Sequence, residues 1–201
     1  ALVNCEGTGI PPLGLMYISA VLKSAGYNDI KLADVTSSSA LNIFEKRTKA
    51  YFLKLLKENP DIVGVSSTTP SWSMAVKLCK IAKQYSSNII VGGPHPSIFR
   101  ELILKKYPFI DVVVFGEAEN TIDKIVERIE NGKNLSEIRG VAYRENGRII
   151  VNEPNPLIRN LDSLPFPDRD ILAIESYHAP FAILTSRGCP YGCVFCFKPV
   201  H

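Results

Sequence analysis

Apolar positions along the first two-thirds of the chain follow two different spacings. Short, nearly continuous apolar runs favour buried strands, whereas longer segments with apolar residues at helical spacing favour helices. The runs predict strands at residues 1–5, 29–33, 61–66, 88–91 and 111–115. The longer segments predict helices at residues 13–25, 40–58, 71–85, 97–106 and 120–131. This alternation predicts an α/β fold: an open, five-stranded parallel sheet with helices on both faces.

Loops that follow the predicted strands are the expected place for a ligand. Ligands of open parallel sheets bind outside the carboxyl ends of the strands. Those ends are residues 5–12, 66–70, 92–96 and 116–119, and they are rich in Gly, Pro, Ser and Thr. Such residues are typical of loops whose backbone approaches a ligand closely.

The last third of the chain has a different pattern. Residues 140–151 predict a β-hairpin that turns at Asn146-Gly147. Five of the fourteen prolines lie in residues 154–180, which predicts an extended connector. We expect four apolar side chains to hold that connector in place: Leu157, Leu161, Leu164 and Phe166. Residues 181–185 predict a further strand. The chain therefore divides into a first α/β domain at 1–133, a hairpin and connector at 134–179, and the start of another domain at 180–201.

Composition excludes several classes of function. The 201 residues are 46% hydrophobic and 21% charged, which is typical of a globular chain with an adequate core. The net charge of +3 is too small and too evenly spread to predict binding to nucleic acid or to an anionic membrane. No apolar run approaches the roughly 18 residues of a membrane-spanning helix, and we expect no secretory signal. Both ends look cut, so we expect a piece of a longer protein.

Cysteine usage indicates metal chemistry. Three of the five cysteines lie within the segment Thr-Ser-Arg-Gly-Cys-Pro-Tyr-Gly-Cys-Val-Phe-Cys at 185–196. This is a poor disulfide framework and favours a reducing, cytoplasmic location. Cys5 and Cys79 lie apart from the group, and we expect both to be small buried hydrophobic residues.

The spacing of Cys189, Cys193 and Cys196 favours an iron–sulfur cluster. Cysteine thiolates are the usual ligands, and four of them normally hold a four-iron cluster. Three would leave one iron open to a small molecule. Gly188 permits a tight turn around the cluster, and Phe195 is expected to shield it from water. Two alternatives stay open: a zinc site, for which His201 is a fourth ligand, and incidental or disulfide-forming cysteines.

This segment resembles the signature of the radical S-adenosylmethionine (SAM) superfamily, in which Cys-x3-Cys-x-aromatic-Cys follows a strand. The resemblance implies that Cys189, Cys193 and Cys196 bind a [4Fe-4S] cluster and that Phe195 lies beside the cluster and SAM. It implies that SAM chelates the open iron and is cleaved reductively to methionine and a 5′-deoxyadenosyl radical. It also implies that residues 181–185 form the first strand of a partial (β/α) barrel.

Five upstream motifs extend the resemblance to cobalamin-dependent members of the superfamily. They are Pro-Pro-Leu-Gly-Leu-x-Tyr-Ile-x-Ala-x-Leu at 11–22, Asp-Ile-Val-Gly-Val-Ser at 61–66, Val-Gly-Gly-Pro-His-Pro at 91–96, Val-Phe-Gly-Glu-x-Glu at 114–119 and Leu-Asp-Ser-Leu-Pro-Phe-Pro-Asp-Arg-Asp at 161–170. In that family a flavodoxin-like, Rossmann-like domain holds the nucleotide tail of cobalamin at its strand ends. The resemblance implies these cobalamin-contacting candidates: Gly9, Pro12, Leu13, Ser66, Thr68, Gly92, Gly93, Pro94, His95, Gly116 and Glu117.

Several of these candidates have plainer interpretations. His95 is expected either to line the slot or to form a local hydrogen bond. Gly92-Gly93 is also consistent with a simple tight turn. Glu117 and Glu119 would equally suit the start of the last helix, where carboxylates interact favourably with the helix dipole. The loop after the first strand has no histidine, so bound cobalamin would lack a histidine lower ligand. Some relatives keep this domain without binding cobalamin, and that alternative stays open.

The leading hypothesis is a cobalamin-dependent radical SAM methyltransferase acting at an unactivated carbon. Alternatives are a non-methylating radical SAM reaction, such as a cyclisation or ring contraction, and a cobalamin-binding module without catalysis. Expected partners are a small-molecule or peptide substrate and a reducing electron donor of the flavodoxin or ferredoxin type.

Overall fold

Seven strands form one sheet in the order β2-β1-β3-β4-β5-β6-β7. The computed structural model describes residues 1–6, 9–35, 46–85, 88–172 and 177–196. The strands are β1 (Leu2–Asn4), β2 (Leu32–Asp34), β3 (Ile62–Ser66), β4 (Asn88–Gly92), β5 (Val112–Val114), β6 (Val141–Glu145) and β7 (Arg148–Val151). Strands β1 to β5 are parallel, as the sequence predicts.

Five α-helices cover both faces of the sheet within the described residues. They are α1 (Leu13–Ser24), α2 (Lys46–Lys57), α3 (Trp72–Ala82), α4 (Pro94–Lys106) and α5 (Ile122–Glu130). One buried cluster joins the sheet to α2, α3 and α4, and a second joins it to α1 and α5. The α/β class and the two-sided helix layout are therefore confirmed. Residues 40–45, which the sequence assigns to the second helix, lie outside the described residues.

Most element boundaries lie one to three residues from the prediction, and two of the differences have a clear physical cause. Helix α4 begins at Pro94, three residues before the predicted start, because Gly93 is its N-cap and the proline ring suits the first helical turn. Strand β2 covers Leu32–Asp34 and not residues 29–33, because its pairing with β1 starts at the buried Leu32.

The hairpin β6–β7 extends the sheet beyond β5. Strand β6 pairs antiparallel with β5, with Val114 opposite Val141. The turn lies at Asn146-Gly147, as predicted, and both residues have positive φ, 49° and 76°. This conformation is typical of a two-residue hairpin turn.

The predicted strand at residues 181–185 is wrong. The structure has no strand there, and Phe181 and Ile183 are 77% and 71% exposed. A strand needs a neighbour for its N–H and C=O groups, and no described strand pairs with this segment. Instead, Arg169 donates hydrogen bonds to the carbonyl oxygens of Pro180 and Ala182.

The connector is also held differently from the prediction. Two of the four leucine and phenylalanine side chains expected to anchor it, Leu157 and Phe166, are 55% and 95% exposed. Polar contacts hold it: Asp168 accepts a hydrogen bond from Ser19 Oγ at 2.6 Å and pairs with Lys23 Nζ at 2.7 Å. Its backbone N–H also donates to the carbonyl of Met16 at 3.1 Å.

Candidate functional site

A cavity of about 520 Å³ opens at the carboxyl ends of the parallel strands, between the sheet and helices α1 and α5. Its floor is formed by strand residues that face these helices. Its walls come from α1, α5, the loop between β5 and α5, and the segment Leu184, Ser186, Arg187 and Gly188 that precedes the cysteines. The main floor and wall residues are Leu2, Gly64, Ser66, Ile90, Gly92, Val114, Gly14, Tyr17, Ile18 and Ile122. This is the edge at which the sequence predicts ligand binding.

The cavity exists because glycines leave its floor without side chains on the two central strands β3 and β4. Gly64 lies in the middle of β3, between Leu2 of β1 and Ile90 of β4. A β-carbon at Gly64 would lie 3.2 Å from Leu2 Cδ2, and Leu2 Cδ2 is the one heavy atom outside the adjoining residues within 4 Å of it. A larger side chain at this position would therefore extend into the cavity.

Gly93 brings two strand-end loops into contact. Its φ is +97°, and a β-carbon there would lie 2.8 Å from the carbonyl oxygen of Ser67. The backbone N–H of Ser67 donates to the carbonyl of Gly92 at 3.1 Å. Glycine is therefore required by both the backbone conformation and the close approach. The Gly92-Gly93 pair shapes the rim of the cavity and is more than a turn.

Six of the eleven sequence-predicted cobalamin residues line the cavity: Ser66, Gly92, Gly93, Pro94, Gly116 and Glu117. The other five lie outside its lining: Gly9, Pro12, Leu13, Thr68 and His95. Thr68, for example, donates its backbone N–H to Ser71 Oγ at 3.0 Å, within the loop before α3.

His95 has local partners. Its ring stacks on Trp72 at a centroid distance of 4.6 Å and contacts the ring of Phe99 at 4.7 Å. Its Nδ1 lies 3.1 Å from Thr69 Oγ1. Burial lowers the pKa of His95, because the charged imidazolium loses its hydration. The local hydrogen-bonding interpretation of His95 therefore agrees with the structure.

An ionic cluster stands at the mouth of the cavity. Arg187 pairs with Glu117 Oε1 at 2.9 Å and with Glu119 Oε1 at 2.7 Å. Glu117 Oε2 also accepts the backbone N–H of Ile158 in the connector at 2.7 Å. The two carboxylates precede Thr121, the N-cap of α5, and they bind Arg187. Their position at the mouth reflects this pairing and not a role at the helix start.

The β1 and β2 ends form a second polar contact with the connector. Tyr177 donates its hydroxyl hydrogen to Asp34 Oδ2, and Asn4 Nδ2 donates to Asp34 Oδ1 at 2.9 Å. Burial raises the pKa of Asp34, and these two hydrogen bonds oppose the shift. His178, beside Tyr177, donates its backbone N–H to the carbonyl of Gly9 at 3.0 Å. The connector therefore contacts the carboxyl ends of β1 and β2 as well as the loop between β5 and α5.

Cys189, Cys193 and Cys196 are free and exposed, in a loop without helix or strand. Phe195 is 89% exposed, and its expected place beside a cluster stays a prediction. Among residues 1–6, 9–35, 46–85, 88–172 and 177–196, no three His, Cys, Asp or Glu side chains are gathered to hold a metal ion. Thiols are suitable ligands for an iron–sulfur cluster, but these three are not gathered around a common point. An iron–sulfur cluster here therefore stays a prediction from the spacing of the cysteines. His201, the fourth ligand of the zinc alternative, lies outside the described residues.

Cys5 and Cys79 are buried, as predicted. Burial raises the pKa of the Cys5 thiol to about 12 and raises that of Cys79 as well. Both thiols are therefore inert at neutral pH.

Several lining residues were not among the sequence-predicted candidates, and the most informative of these are Gly64, Tyr17 and Arg187. An isolated glycine inside an apolar strand is a known signal of close approach, and Gly64 carries it. Nothing in the sequence pattern places Arg187 beside residues that precede it by about seventy positions.

The described helices include none that is both long and apolar enough to cross a membrane.

Comparisons with known proteins agree with this architecture. A curated relative, an uncharacterised methyltransferase of Pyrococcus horikoshii, is 38% identical over 98% of this chain and 42% of its own length. An anaerobic magnesium-protoporphyrin IX monomethyl ester cyclase of Rubrivivax gelatinosus is 32% identical over 92% of this chain and 34% of its own. The chain thus spans less than half the length of these relatives.

Solved structures share the fold. The cobalamin-dependent S-adenosylmethionine radical enzyme OxsB, with aqua-cobalamin and S-adenosylmethionine bound, matches with a TM-score of 0.66. The match has 23% identity and covers 85% of this chain and 24% of OxsB. The radical S-adenosylmethionine methyltransferase TsrM from Kitasatospora setae matches with a TM-score of 0.63 and 16% identity, over 83% of this chain and 30% of TsrM.

The family comparison covers most of the described sheet. The model of the B12 binding domain matches residues 1–126, which include β1 to β5 and the cavity. The resemblance to cobalamin-dependent radical SAM enzymes, indicated by the motifs, is confirmed by these matches. The chain belongs to the B12-binding domain family.

Proposed function

We propose that the cavity between the sheet and helices α1 and α5 holds the nucleotide tail of cobalamin. The observation that carries this proposal is the side-chain-free floor at Gly64 and Gly92, which leaves a slot between the sheet and helices α1 and α5. The floor is mainly apolar, and Ser66 supplies a hydroxyl at its rim. A flat aromatic base with a polar sugar and phosphate suits that arrangement.

The residues around the slot would have distinct roles. Ile18 of α1 and Ile122 of α5 would pack on the two sides of the inserted base and exclude water. The backbones of Gly92, Gly93 and Gly116 would lie against the rest of the tail, since glycine permits close approach. Bound cobalamin supplies a cobalt centre that carries a methyl group from a donor to an acceptor.

We propose further that this domain serves a radical SAM enzyme that transfers a methyl group to an unactivated carbon. The spacing of Cys189, Cys193 and Cys196 supports three-thiolate binding of a [4Fe-4S] cluster, with SAM at the open iron. Relatives named as methyltransferases support the methylation role. The same proposal includes a cytoplasmic location, a low-potential electron donor of the flavodoxin or ferredoxin type, and a small-molecule or peptide substrate.

A second candidate is a non-methylating radical SAM reaction. The observation that favours it is the 32% identity to a protein named as a ring-forming cyclase. Methyl-labelled SAM separates the two candidates when it is supplied to the reduced full-length protein with candidate substrates. Label in the product supports methyl transfer, whereas turnover of SAM to 5′-deoxyadenosine with an unlabelled product supports the second candidate.

Cobalamin binding itself is tested first. The protein is mixed anaerobically with hydroxocobalamin, desalted, and examined by its visible spectrum. We expect about one cobalamin per chain, and we expect reduced cob(II)alamin to show no nitrogen splitting from a histidine in its electron paramagnetic resonance spectrum. A folded full-length protein that retains no cobalamin would contradict the proposal and support an empty, structural domain.

A further inference from the structure

Arg187 joins the cavity to the cysteine loop. It lies two positions before Cys189, and its two terminal nitrogens pair with Glu117 and Glu119 at 2.9 and 2.7 Å. Its guanidinium carbon also lies 5.0 Å from the centre of the Tyr17 ring on α1. One side chain therefore contacts both walls of the cavity mouth.

Burial makes these ion pairs costly to break. The Arg187 side chain is 15% exposed, and each carboxylate is 8% exposed. Surface ion pairs add little to stability, but breaking a buried pair leaves a charge without a partner and is strongly unfavourable. Arginine suits this place because its planar fork can bond two carboxylates at once, which lysine cannot do in the same geometry.

Glu117 connects three parts of the molecule. It belongs to the loop between β5 and α5, which lines the cavity with Gly116 and Glu119. One of its carboxylate oxygens binds Arg187, and the other accepts the backbone N–H of Ile158 in the connector. A ligand that restrains residues 116–119 therefore also restrains the groups that hold Arg187.

We propose that Arg187 is a positioning residue that transmits occupancy of the cavity to the cysteine loop. A ligand seated against residues 116–119 fixes Glu117 and Glu119, which fix Arg187. Arg187 in turn orders residues 189–196, which lie beyond the lining of the cavity. This inference rests on the proposed cobalamin site for the identity of the ligand, whereas the ion-pair link stands on the contacts alone. By thermodynamic reciprocity, a restrained cysteine loop tightens ligand binding by the same factor.

Amide hydrogen exchange of the full-length protein tests the link without any ligand. Glu119→Gln removes one ion pair from a position far from the cysteine loop in sequence. We expect exchange at residues 186–189 to accelerate by about fivefold or more, the lower range of typical coupling between sites. Arg128→Gln is the matched control, because it removes an exposed ion pair of α5, whose partner Glu137 is 76% exposed. Unchanged exchange at 186–189 in Glu119→Gln would overturn the proposal.

The same measurement with saturating cyanocobalamin tests transmission. In the wild type we expect slower exchange at both 116–119 and 189–196. In Arg187→Gln the protection at 116–119 should remain and that at 189–196 should disappear. Residues 186–188 line the cavity and are left out of the comparison. Protection of 189–196 that persists in both Arg187→Gln and Glu119→Gln would show that the ligand orders the cysteines without this link, and would overturn the proposal.

Two further variants keep the outcome clear. Arg187→Lys retains the positive charge between the two carboxylates, so it should disturb folding less than Arg187→Gln does. It should restore only part of the protection of the cysteine loop, because lysine cannot bond both carboxylates in the same geometry. The triple variant Arg187→Gln, Glu117→Gln and Glu119→Gln leaves no buried charge without a partner and should show the same loss of transmission. A wild type that shows no effect of cyanocobalamin contradicts the cobalamin proposal, while the ligand-free comparison still decides the role of Arg187.

Discussion

Gly64 is unfavourable for the strand that contains it. A glycine inside a strand destabilises it by roughly 0.5–1 kcal/mol relative to alanine, because glycine loses more backbone entropy on folding. Its neighbours in β3, Val63 and Val65, are buried β-branched residues of the kind strands prefer. Only the absence of a side chain keeps the cavity open at this point, so the residue serves the cavity and not the sheet.

Gly64→Val should separate stability from binding. Valine suits the strand, and the nearest atom, Leu2 Cδ2, is the flexible end of a side chain 3.2 Å from the new β-carbon. We expect the free energy of unfolding to stay the same or to rise by about 0.5 kcal/mol. The dissociation constant for cobalamin should increase by about tenfold or more, because the added branch occupies the slot, at a cost of roughly 1–3 kcal/mol.

Urea unfolding and spectroscopic titration with hydroxocobalamin measure the two quantities. Val151→Ile, which adds one carbon to the exposed edge strand β7, is the control and should leave both unchanged. Equal affinity in Gly64→Val and the wild type would show that the tail does not reach β3.

His95 should make stability depend on pH. Its pKa is lowered by burial, so in mildly acidic solution the folded protein binds fewer protons than the unfolded chain. The free energy of unfolding therefore falls as the pH drops below about 6.5, the ordinary pKa of histidine. His95→Phe keeps an aromatic ring beside Trp72 and Phe99 and does not titrate. Urea unfolding at several pH values between 5 and 7.5 should show a shallower decrease in the free energy of unfolding of this variant as the pH falls. Identical pH profiles for the variant and the wild type would contradict a role of His95 in the pH dependence.

At the scale of elements, the connector is held by a few polar anchors. Asp168 is the clearest one, because its side chain bonds Ser19 and Lys23 of α1 and is 7% exposed. Such charged hydrogen bonds contribute about 1.5–3 kcal/mol each when partly buried. The connector is therefore expected to open locally when this anchor is lost, while the sheet stays folded.

Asp168→Ala tests that expectation. Amide exchange at residues 160–172 should accelerate by about tenfold or more, since about 1.4 kcal/mol of lost local stability corresponds to a factor of ten. Exchange in β3 and β4 should not change. Asp162→Ala, at an exposed position of the same segment, is the control and should behave as the wild type. Uniform acceleration through the sheet would instead mean that the connector is part of the global folding unit.

The sequence predicted those helices, strands and turns that depend on residues close together in the chain. The hairpin is an example, because Asn146-Gly147 provides both residues with positive φ that its turn requires. Residues 181–185 are the opposite case: their apolar run favours a strand, but pairing depends on neighbours that lie elsewhere. Connector anchoring was also misjudged. Hydrophobicity alone did not reveal that Asp168 of the connector binds α1, or that Glu117 accepts a hydrogen bond from the connector.

The whole molecule is asymmetric about its sheet. The face covered by α2, α3 and α4 carries a continuous buried cluster, whereas the face covered by α1 and α5 is filled only in part and contains the cavity. The alternation of strands and helices in the sequence correctly predicted the edge of the sheet at which the cavity opens. It did not indicate the depth of the slot or the Arg187 cluster, because both depend on contacts between distant segments.

Ligand binding should therefore stabilise the fold as a whole. At a free cobalamin concentration about 100 times the dissociation constant, the expected gain is about 2.7 kcal/mol. For a chain of this length that corresponds to an increase in melting temperature of roughly 5–10 °C. Thermal unfolding followed by circular dichroism measures it. Gly64→Val should show about half of this increase or less, because a tenfold weaker affinity leaves a gain of about 1.4 kcal/mol at the same concentration. Equal increases in both proteins would indicate that cobalamin binds elsewhere.

The direction of the hairpin has a practical consequence. Because β6 runs back along β5 from Val141 opposite Val114, the Asn146-Gly147 turn lies at the amino-terminal edge of the sheet, away from the cavity mouth. A short epitope tag, a fluorophore or a surface-immobilisation handle inserted there would stand at the far end of the molecule from both the slot and the cysteine loop. The turn is thus a convenient attachment point for following cofactor loading by single-molecule or surface methods.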